Sequence, residues 1–220
     1  PASFVILLYT RHNFILTPDV LPIFVKEKGD TKRIKIWSAA CSTGEEPYTL
    51  SIILHEMLDN PEEWDIQILA SDINTEVLKA AKIGLYESRS VRDVPPEYLE
   101  KYFTKMNDKY LVNPIVRKPV TLKRINLIDN EAMSAVAGCD FIFCRNCLIY
   151  FDDESRKKVL AYFYKSLNPG GFIFLGHSES VGRISSAYKV QRIGNTIVYS
   201  KPRYFKKQGD SLFRENGAGG

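Results

Sequence analysis

The feature that most constrains this chain is an alternation of short apolar runs with amphipathic stretches. Apolar runs occupy residues 34–40, 64–71, 139–144 and 171–176. Buried strands separated by helices form a parallel sheet that helices cover on both faces. The pattern therefore predicts an α/β fold with a doubly wound, mostly parallel sheet.

Local signals refine this prediction. Apolar residues at helical spacing predict helices over 47–58, over 75–82 and from Asp152 or Asp153 to about 167. Asn74 or Thr75 is predicted to cap the second helix, and Gly84 lies near its end. Residues 110–125 read as extended structure that two prolines interrupt, and the Asn-Pro-Gly-Gly run at 168–171 predicts a turn. Residues 188–193 and 196–200 flank a Gly-Asn pair, which predicts an antiparallel hairpin after the parallel strands.

Composition excludes several classes of protein. The chain has 220 residues and a net charge of +4, which is too mild to indicate a nucleic-acid partner. The apolar runs are far shorter than the roughly 20 residues of a membrane-spanning helix, and no leader opens the chain, so we expect a cytoplasmic protein without membrane insertion. Cys144 and Cys147 form a C-x-x-C, but no second pair lies near, so we expect buried thiols and no metal.

Polar residues follow three of the apolar runs. The first run ends in the small residues Ala39 and Ala40, which let a ligand approach the backbone, and Gly44 and the acids Glu45 and Glu46 follow it. Carboxyl ends of parallel strands meet at one edge of a sheet, where ligands bind. Acids at a helix N-terminus also compensate the helix dipole, but they repel phosphate and suit a ligand that carries positive charge.

The other two strand ends extend this picture. Asp72 can accept both hydroxyls of a ribose or can cap the next helix. Arg145 and Asn146 end a run that is otherwise apolar, and an arginine there is costly to bury unless it has a partner. A nucleoside that carries positive charge and needs no phosphate cradle fits these residues, and S-adenosylmethionine is such a ligand.

Four motifs, at 36–48, 70–74, 141–151 and 174–180, together resemble the CheR-type chemotaxis receptor (protein-glutamate) O-methyltransferases. The similarity covers roughly residues 21–201. It implies a class I methyltransferase fold with a C-terminal antiparallel hairpin and a small inserted β-subdomain, here at about 105–119. It also implies S-adenosylmethionine as methyl donor and S-adenosylhomocysteine as product.

The resemblance also implies roles for individual residues. Glu45 corresponds to the acid that meets the methionine ammonium, and Asp72 to the ribose ligand. Asn126 and Leu127 correspond to the pair beside the adenine. Arg145 and Asn146 correspond to an arginine–asparagine pair at the cofactor, and Tyr150 to a tyrosine on the substrate side, so Arg145 and Tyr150 are the predicted catalytic residues.

The same resemblance predicts the partners. Members methylate glutamate side chains on the cytoplasmic helices of chemoreceptors to γ-methyl esters, and in some members the β-subdomain grips a C-terminal receptor peptide. Two departures stand out. We expect residues 1–20 to form a degenerate linker where members carry a helical docking domain. Thr10, His12 and Leu16 stand where members have cofactor-contacting Asn, Thr and Arg. We expect residues 202–220 to form a flexible tail.

Two alternatives remain open from the sequence. The same scaffold supports methyltransferases that act on other substrates, because a fold does not determine a substrate. The altered N-terminal segment also fits a module that binds S-adenosylmethionine, S-adenosylhomocysteine or a partner without turnover. In the catalytic interpretation the acceptor carboxylate is already an anion at neutral pH, so no general base is expected.

Overall fold

A computed structural model describes residues 21–28, 31–176, 179, 187–193 and 196–203. Its main feature is a seven-stranded sheet in the order β6-β2-β1-β7-β8-β10-β9. The strands of this sheet are β1 (Arg33–Ala39), β2 (Asp65–Asp72), β6 (Val120–Arg124), β7 (Cys139–Cys144), β8 (Leu167–Leu175), β9 (Lys189–Ile193) and β10 (Thr196–Ser200). The pairs from β6 to β8 are parallel, and β10 pairs antiparallel with β8 and β9.

The described part of the chain contains seven helices. They are α1 (Leu21–Lys28), α2 (Glu45–Met57), α3 (Thr75–Ile83), α4 (Pro96–Tyr102), α5 (Pro114–Arg117), α6 (Asn130–Ser134) and α7 (Asp153–Ser166). Short 3-10 turns lie at Pro61–Glu63, Ser88–Ser90 and Leu148–Tyr150.

Two hydrophobic clusters pack on opposite faces of the sheet, as the doubly wound fold predicts. Successive side chains of a strand point to opposite faces. Trp37 therefore packs edge-on against Phe163 of α7, with ring centroids 5.1 Å apart. Its neighbour Ile36 joins the other cluster, where Phe24 of α1 lies 4.8 Å from Phe141. Both faces of the central strands are buried, which explains why these strands are almost continuously apolar.

A second, three-stranded antiparallel sheet packs beside α2. Its order is β3-β5-β4, with β3 at Leu85–Glu87, β4 at Phe103–Met106 and β5 at Lys109–Val112. The predicted bounds of the β-subdomain, about 105–119, are therefore wrong, because the strands of the small sheet lie between residues 85 and 112. Its strands have only three or four residues, and each contains a single buried residue, so they leave no apolar run in the sequence.

Several local predictions are confirmed. Asn74 caps α3 by accepting from the Glu76 N–H at 2.9 Å, Gly84 ends it, and Asp152 caps α7. The strands β9 and β10 form the predicted antiparallel pair, although residues 194–195 between them lie outside the described residues. The helix predicted from Pro47 begins two residues earlier, at Glu45. Pro47 is tolerated in this first turn, because the first N–H groups of a helix have no intrahelical acceptor.

Two predictions are wrong. Residues 168–171 are not a turn before β8 but a bulge inside it, because Cys139 pairs with Leu167 whereas Phe141 pairs with Phe172. The backbone of Gly170 donates to the Lys201 carbonyl at 2.8 Å, a partner that local sequence does not reveal. Within the segment predicted as extended, residues 114–117 form the short helix α5, which Pro114 begins.

The described residues contain no helix that is both long and apolar enough to cross a membrane. In the same part of the chain, no group of three or more His, Cys, Asp or Glu side chains is arranged to hold a metal ion.

Candidate cofactor and catalytic site

The three predicted strand ends lie side by side at the carboxyl edge of the main sheet. Ala39, the last residue of β1, pairs with Ser71 of β2 on one side and with Cys144 of β7 on the other. Strands that follow β1 first add on the β2 side and then, from β7 onward, on the opposite side. This reversal between β1 and β7 is the place where open α/β sheets bind ligands.

The loop after β1 has an unusual backbone. Ala40, Ser42 and Gly44 all have positive φ, at 62°, 50° and 94°. Gly44 cannot carry a side chain, because a Cβ there would lie 2.9 Å from the Cβ of Ala81 and 3.0 Å from the hydroxyl of Tyr86. The loop therefore turns tightly into α2 and packs closely against α3 and β3.

Glu45 and Glu46, the first two residues of α2, lie in different surroundings. Glu45 is buried, and both of its carboxylate oxygens accept from the Thr43 hydroxyl, at 2.8 and 2.6 Å. Burial raises the pKa of Glu45, and the Thr43 hydrogen bond partly opposes this rise. Glu45, which the resemblance predicts to bind the methionine ammonium, is thus hydrogen-bonded within its own loop.

Glu46 faces the junction of β1 and β7 instead. It accepts a 2.6 Å hydrogen bond from the hydroxyl of Ser38, a buried residue of β1. Loss of hydration raises the pKa of Glu46, while Ser38 and the positive charge of Arg145 lower it. Glu46 is therefore the carboxylate of this pair that meets the predicted arginine.

Asp72 ties the first two strand ends together. One carboxylate oxygen accepts from the Ser42 N–H at 3.0 Å, and the other accepts from the Asn74 N–H at 2.9 Å. The helix-cap interpretation of Asp72 fails, because Asn74 is the cap of α3. A carboxylate has about four acceptor sites, so the half-buried Asp72 retains room for two hydroxyl donors.

Asn126 and Leu127 follow β6, the next strand beyond β2. The Asn126 side chain accepts from the Ile128 N–H at 3.2 Å, which shapes the turn after the strand. Leu127 is buried in the hydrophobic cluster with Ala39 and Trp37. The pair therefore borders the same edge on the β2 side, where the resemblance predicts an adenine.

Arg145 and Asn146 follow β7 on the other side of the reversal. Arg145 is half-buried, and its charge acts on Glu46. Asn146 is exposed with a φ of 55°, a left-handed conformation that asparagine tolerates better than most residues. Tyr150 ends the 3-10 turn that follows and is 84% exposed, beside Ile149 at 48%.

The structure thus brings Ala39, Glu46, Asp72, Arg145 and Asn146 to one edge of the sheet. Thr10, the predicted counterpart of a cofactor-contacting asparagine, lies outside the described residues, as do His12 and Leu16.

Sequence reasoning assigned no individual role to two residues at this edge, Glu46 and Glu179. The orientation of Glu46 depends on Ser38 of the preceding strand, and a pair of adjacent acids does not show which one faces the ligand. Glu179 belongs to a motif that the sequence singled out without a role. Its carboxylate accepts four backbone N–H groups, three of them more than 30 residues away along the chain.

Comparisons with known proteins agree with this geometry. Residues 10–197 match the family described as "CheR methyltransferase, SAM binding domain". A protein named Chemotaxis protein methyltransferase 2 from Vibrio cholerae is 41% identical over 203 residues, which cover 92% of this chain and 69% of that protein. Chemotaxis protein methyltransferase 1 from Pseudomonas aeruginosa is 36% identical over 190 residues, covering 84% and 68%.

The fold and the family match together define an S-adenosylmethionine-dependent methyltransferase domain. The chain belongs to the CheR methyltransferase family.

Proposed function

We propose that this chain transfers the methyl group of S-adenosylmethionine to glutamate side chains on the cytoplasmic helices of chemoreceptors, forming γ-methyl esters in the cytoplasm. The observation that carries the proposal is the placement of Glu46, Asp72 and Arg145 around one sheet reversal, beside the exposed Tyr150. The names of the relatives from Vibrio cholerae and Pseudomonas aeruginosa support the chemotactic acceptor.

The residues at the edge fit the cofactor part by part. The spare acceptor sites of Asp72 suit the two ribose hydroxyls, and the exposed side chain of Asn146 would border the ligand. The side chain of Ala39 is buried in the hydrophobic cluster, so Ala39 would contribute only the end of β1 to the site. We assign the methionine ammonium to Glu46 instead of Glu45, because Glu45 is bonded within its loop and Glu46 faces the reversal. Asn126 and Leu127 would border the adenine, and Thr10 stays a proposed contact.

S-adenosylmethionine supplies an electrophilic methyl group on a sulfonium, and the protein has to align it with the acceptor. A glutamate has a pKa of about 4.3, so the acceptor needs no base to remove a proton. Arg145 and Tyr150 would orient the acceptor carboxylate and keep water away. Such alignment can lower a barrier by several kcal/mol, with an upper range of about 7–11.

The acceptor side of the edge favours a macromolecule over a metabolite. A small-molecule site usually buries most of its ligand in a concave pocket. Here Tyr150 and Ile149 project into solvent directly after the Arg145–Asn146 turn. An open apolar rim of this kind suits a glutamate presented on the surface of a helix.

We also place a C-terminal receptor peptide on the small sheet. Strand β4 lies at the edge of that sheet, and its residues Thr104–Met106 are exposed, so an extended peptide could add as a further strand. Titration of a fluorescent receptor-tail peptide should show saturable binding that Lys105→Pro weakens, because the Lys105 N–H faces the free edge of β4 and proline removes this backbone donor. An unchanged affinity would remove the small sheet from this role.

The test of the methyl-transfer proposal uses tritiated S-adenosylmethionine and a chemoreceptor cytoplasmic fragment. We expect label in base-labile esters, and none when the acceptor glutamates are replaced by alanine. Tyr150→Phe should lower kcat about tenfold, equivalent to 1.4 kcal/mol, with little change in KM for the cofactor. Cofactor binding without any transfer would favour a binding module, and transfer only to a small molecule would favour another methyltransferase.

A further inference from the structure

The carboxylate of Glu179 joins the ends of two strands at the candidate site. One of its oxygens accepts from the N–H groups of Cys147 and Leu148, at 3.0 and 2.7 Å. The other accepts from Asn146 and Gly176, at 3.1 and 2.6 Å. The four N–H groups belong to the turn after β7 and to the end of β8.

These four donors have few other ways to be satisfied. Asn146 has left β7 in a left-handed conformation, and Cys147 and Leu148 begin the 3-10 turn that ends at Tyr150. The first N–H groups of a helical turn have no acceptor within it. A carboxylate forms stronger hydrogen bonds than a neutral oxygen, so Glu179 fixes the conformation of this turn.

Gly176 shows how closely the carboxylate fits. A Cβ at Gly176 would lie 2.7 Å from the bonded oxygen of Glu179 and 2.8 Å from the side-chain oxygen of Asn146. The end of β8 therefore has no side chain at the point where Glu179 reaches across to the β7 turn. The close approach at Gly176 is a second observation, separate from the hydrogen bonds, that Glu179 packs tightly between β8 and the turn after β7.

We infer that Glu179 is a positioning residue of the methyltransferase site: through the backbone of residues 146–148 it sets the places of Arg145, Asn146 and Tyr150. The inference rests on the proposed function, because it assigns those three residues to cofactor and acceptor. Glu179 itself need not touch either ligand. A displacement of about 1 Å in a positioned group can cost about 100-fold in rate.

Glu179→Gln is the sharpest variant, because it keeps the size of the side chain and replaces one acceptor oxygen with a donor NH₂. Two of the four N–H groups then face a donor. Glu179→Asp keeps the charge but is one methylene shorter and should give a smaller effect of the same kind. Glu97→Gln makes the same chemical change at an exposed residue of α4, far along the chain from the turn.

The first measurement is amide hydrogen exchange of the full chain without ligand. We expect Glu179→Gln to speed exchange at Asn146, Cys147 and Leu148 by at least tenfold, while amides of β2 exchange as in the wild type. Glu97→Gln should leave all of them unchanged. Unaltered exchange at the three amides would overturn the inference whatever the activity of the protein.

The second measurement is a calorimetric titration with S-adenosylhomocysteine. Glu179→Gln should raise Kd by about tenfold or more at an unchanged stoichiometry, with Glu179→Asp in between. A merely structural role would instead lower the bound fraction and leave Kd as in the wild type, and that result would overturn the inference. A wild-type chain that binds no S-adenosylhomocysteine would contradict the proposed function, whereas normal wild-type binding with an unchanged variant would contradict only the role of Glu179.

Discussion

The amino and carboxyl edges of the main sheet both carry charged residues, but the partners of these residues differ. At the amino edge, a cavity of about 230 Å³ is lined by residues that include Arg33, Lys35 and Asp140. These groups bond within the fold: Asp140 accepts from the Lys35 N–H at 2.9 Å, and the Lys35 ammonium donates to the Ala137 carbonyl at 2.8 Å. Arg33 pairs with Asp65 at 3.3 Å.

At the carboxyl edge, the carboxylates are bonded to the loops that leave the strands. Asp72 holds the loops after β1 and β2, and Glu179 holds the turn after β7. Asp72 also keeps acceptor sites for a ligand. A cavity with charged walls therefore does not identify a site in this fold. We propose that the site is marked instead by a carboxylate, Asp72, that fixes strand-end loops and retains spare acceptor sites.

The largest expected effect comes from Gly44. Gly44→Ala should destabilise the chain by about 3 kcal/mol, since a left-handed backbone costs roughly 1–3 kcal/mol and overpacking costs a similar amount. Chemical denaturation measures the loss. Gly84→Ala is the matched control, because Gly84 has a φ of 66° but a Cβ added there would have its nearest neighbours 3.7 Å away. Equal losses for the two variants would show that close packing at the carboxyl edge is not what requires Gly44.

Asp140→Asn tests the amino edge. The asparagine amide has one acceptor oxygen, so its NH₂ group faces either the Lys35 N–H or the Asn168 side-chain NH₂, and that donor loses its acceptor. We expect a loss of about 1–3 kcal/mol in the free energy of unfolding. The Kd for S-adenosylhomocysteine should stay unchanged. A parallel loss of affinity in the folded protein would remove the distinction between the two edges.

A smaller effect should follow the titration of Glu46. Its pKa is raised by loss of hydration, so between the ordinary value of about 4.3 and the raised value the folded chain holds a proton that the unfolded chain has lost. The stability of the free protein therefore falls as pH rises through that window. Affinity for S-adenosylhomocysteine should rise in the same window, because only the anion attracts an ammonium.

Titrations at about pH 5 and pH 7 test this assignment. We expect binding to be up to about tenfold tighter at the higher pH, which corresponds to 1.4 kcal/mol. Glu46→Gln should flatten the pH dependence, and Glu45→Gln should preserve it even though burial raises the pKa of Glu45 as well. If Glu45→Gln flattened the pH dependence and Glu46→Gln preserved it, the ammonium would have to be assigned to Glu45.

Much of the fold could be predicted because its central strands are buried on both faces. Every residue of β7 is buried, so its apolar run marks the strand without any knowledge of its neighbours. The small sheet has no such apolar run, since its strands are short and each buries only one residue. The bulge at 168–171 was mistaken for a turn because its pairing depends on Lys201, which is distant in sequence.

The site shows the same limit. Asp72, Arg145 and Asn146 could be predicted because each ends an apolar run, where packing alone does not call for a polar residue. The choice between Glu45 and Glu46 depends on which way the first turn of α2 faces, and that is set by Ser38 and Thr43. The role of Glu179 arises from contacts with residues 146–148, which only the folded chain brings near.

Above all, we propose that the sheet reversal between β1 and β7 is an S-adenosylmethionine site organised around Asp72. Calorimetric titration of the wild-type chain and of Asp72→Ala with S-adenosylhomocysteine tests this assignment. Two hydrogen bonds to a charged acceptor contribute about 1.5–3 kcal/mol each, so Asp72→Ala should weaken binding by at least about 100-fold. A folded wild-type chain that does not bind, or an Asp72→Ala variant that binds as tightly as the wild type, would contradict the assignment.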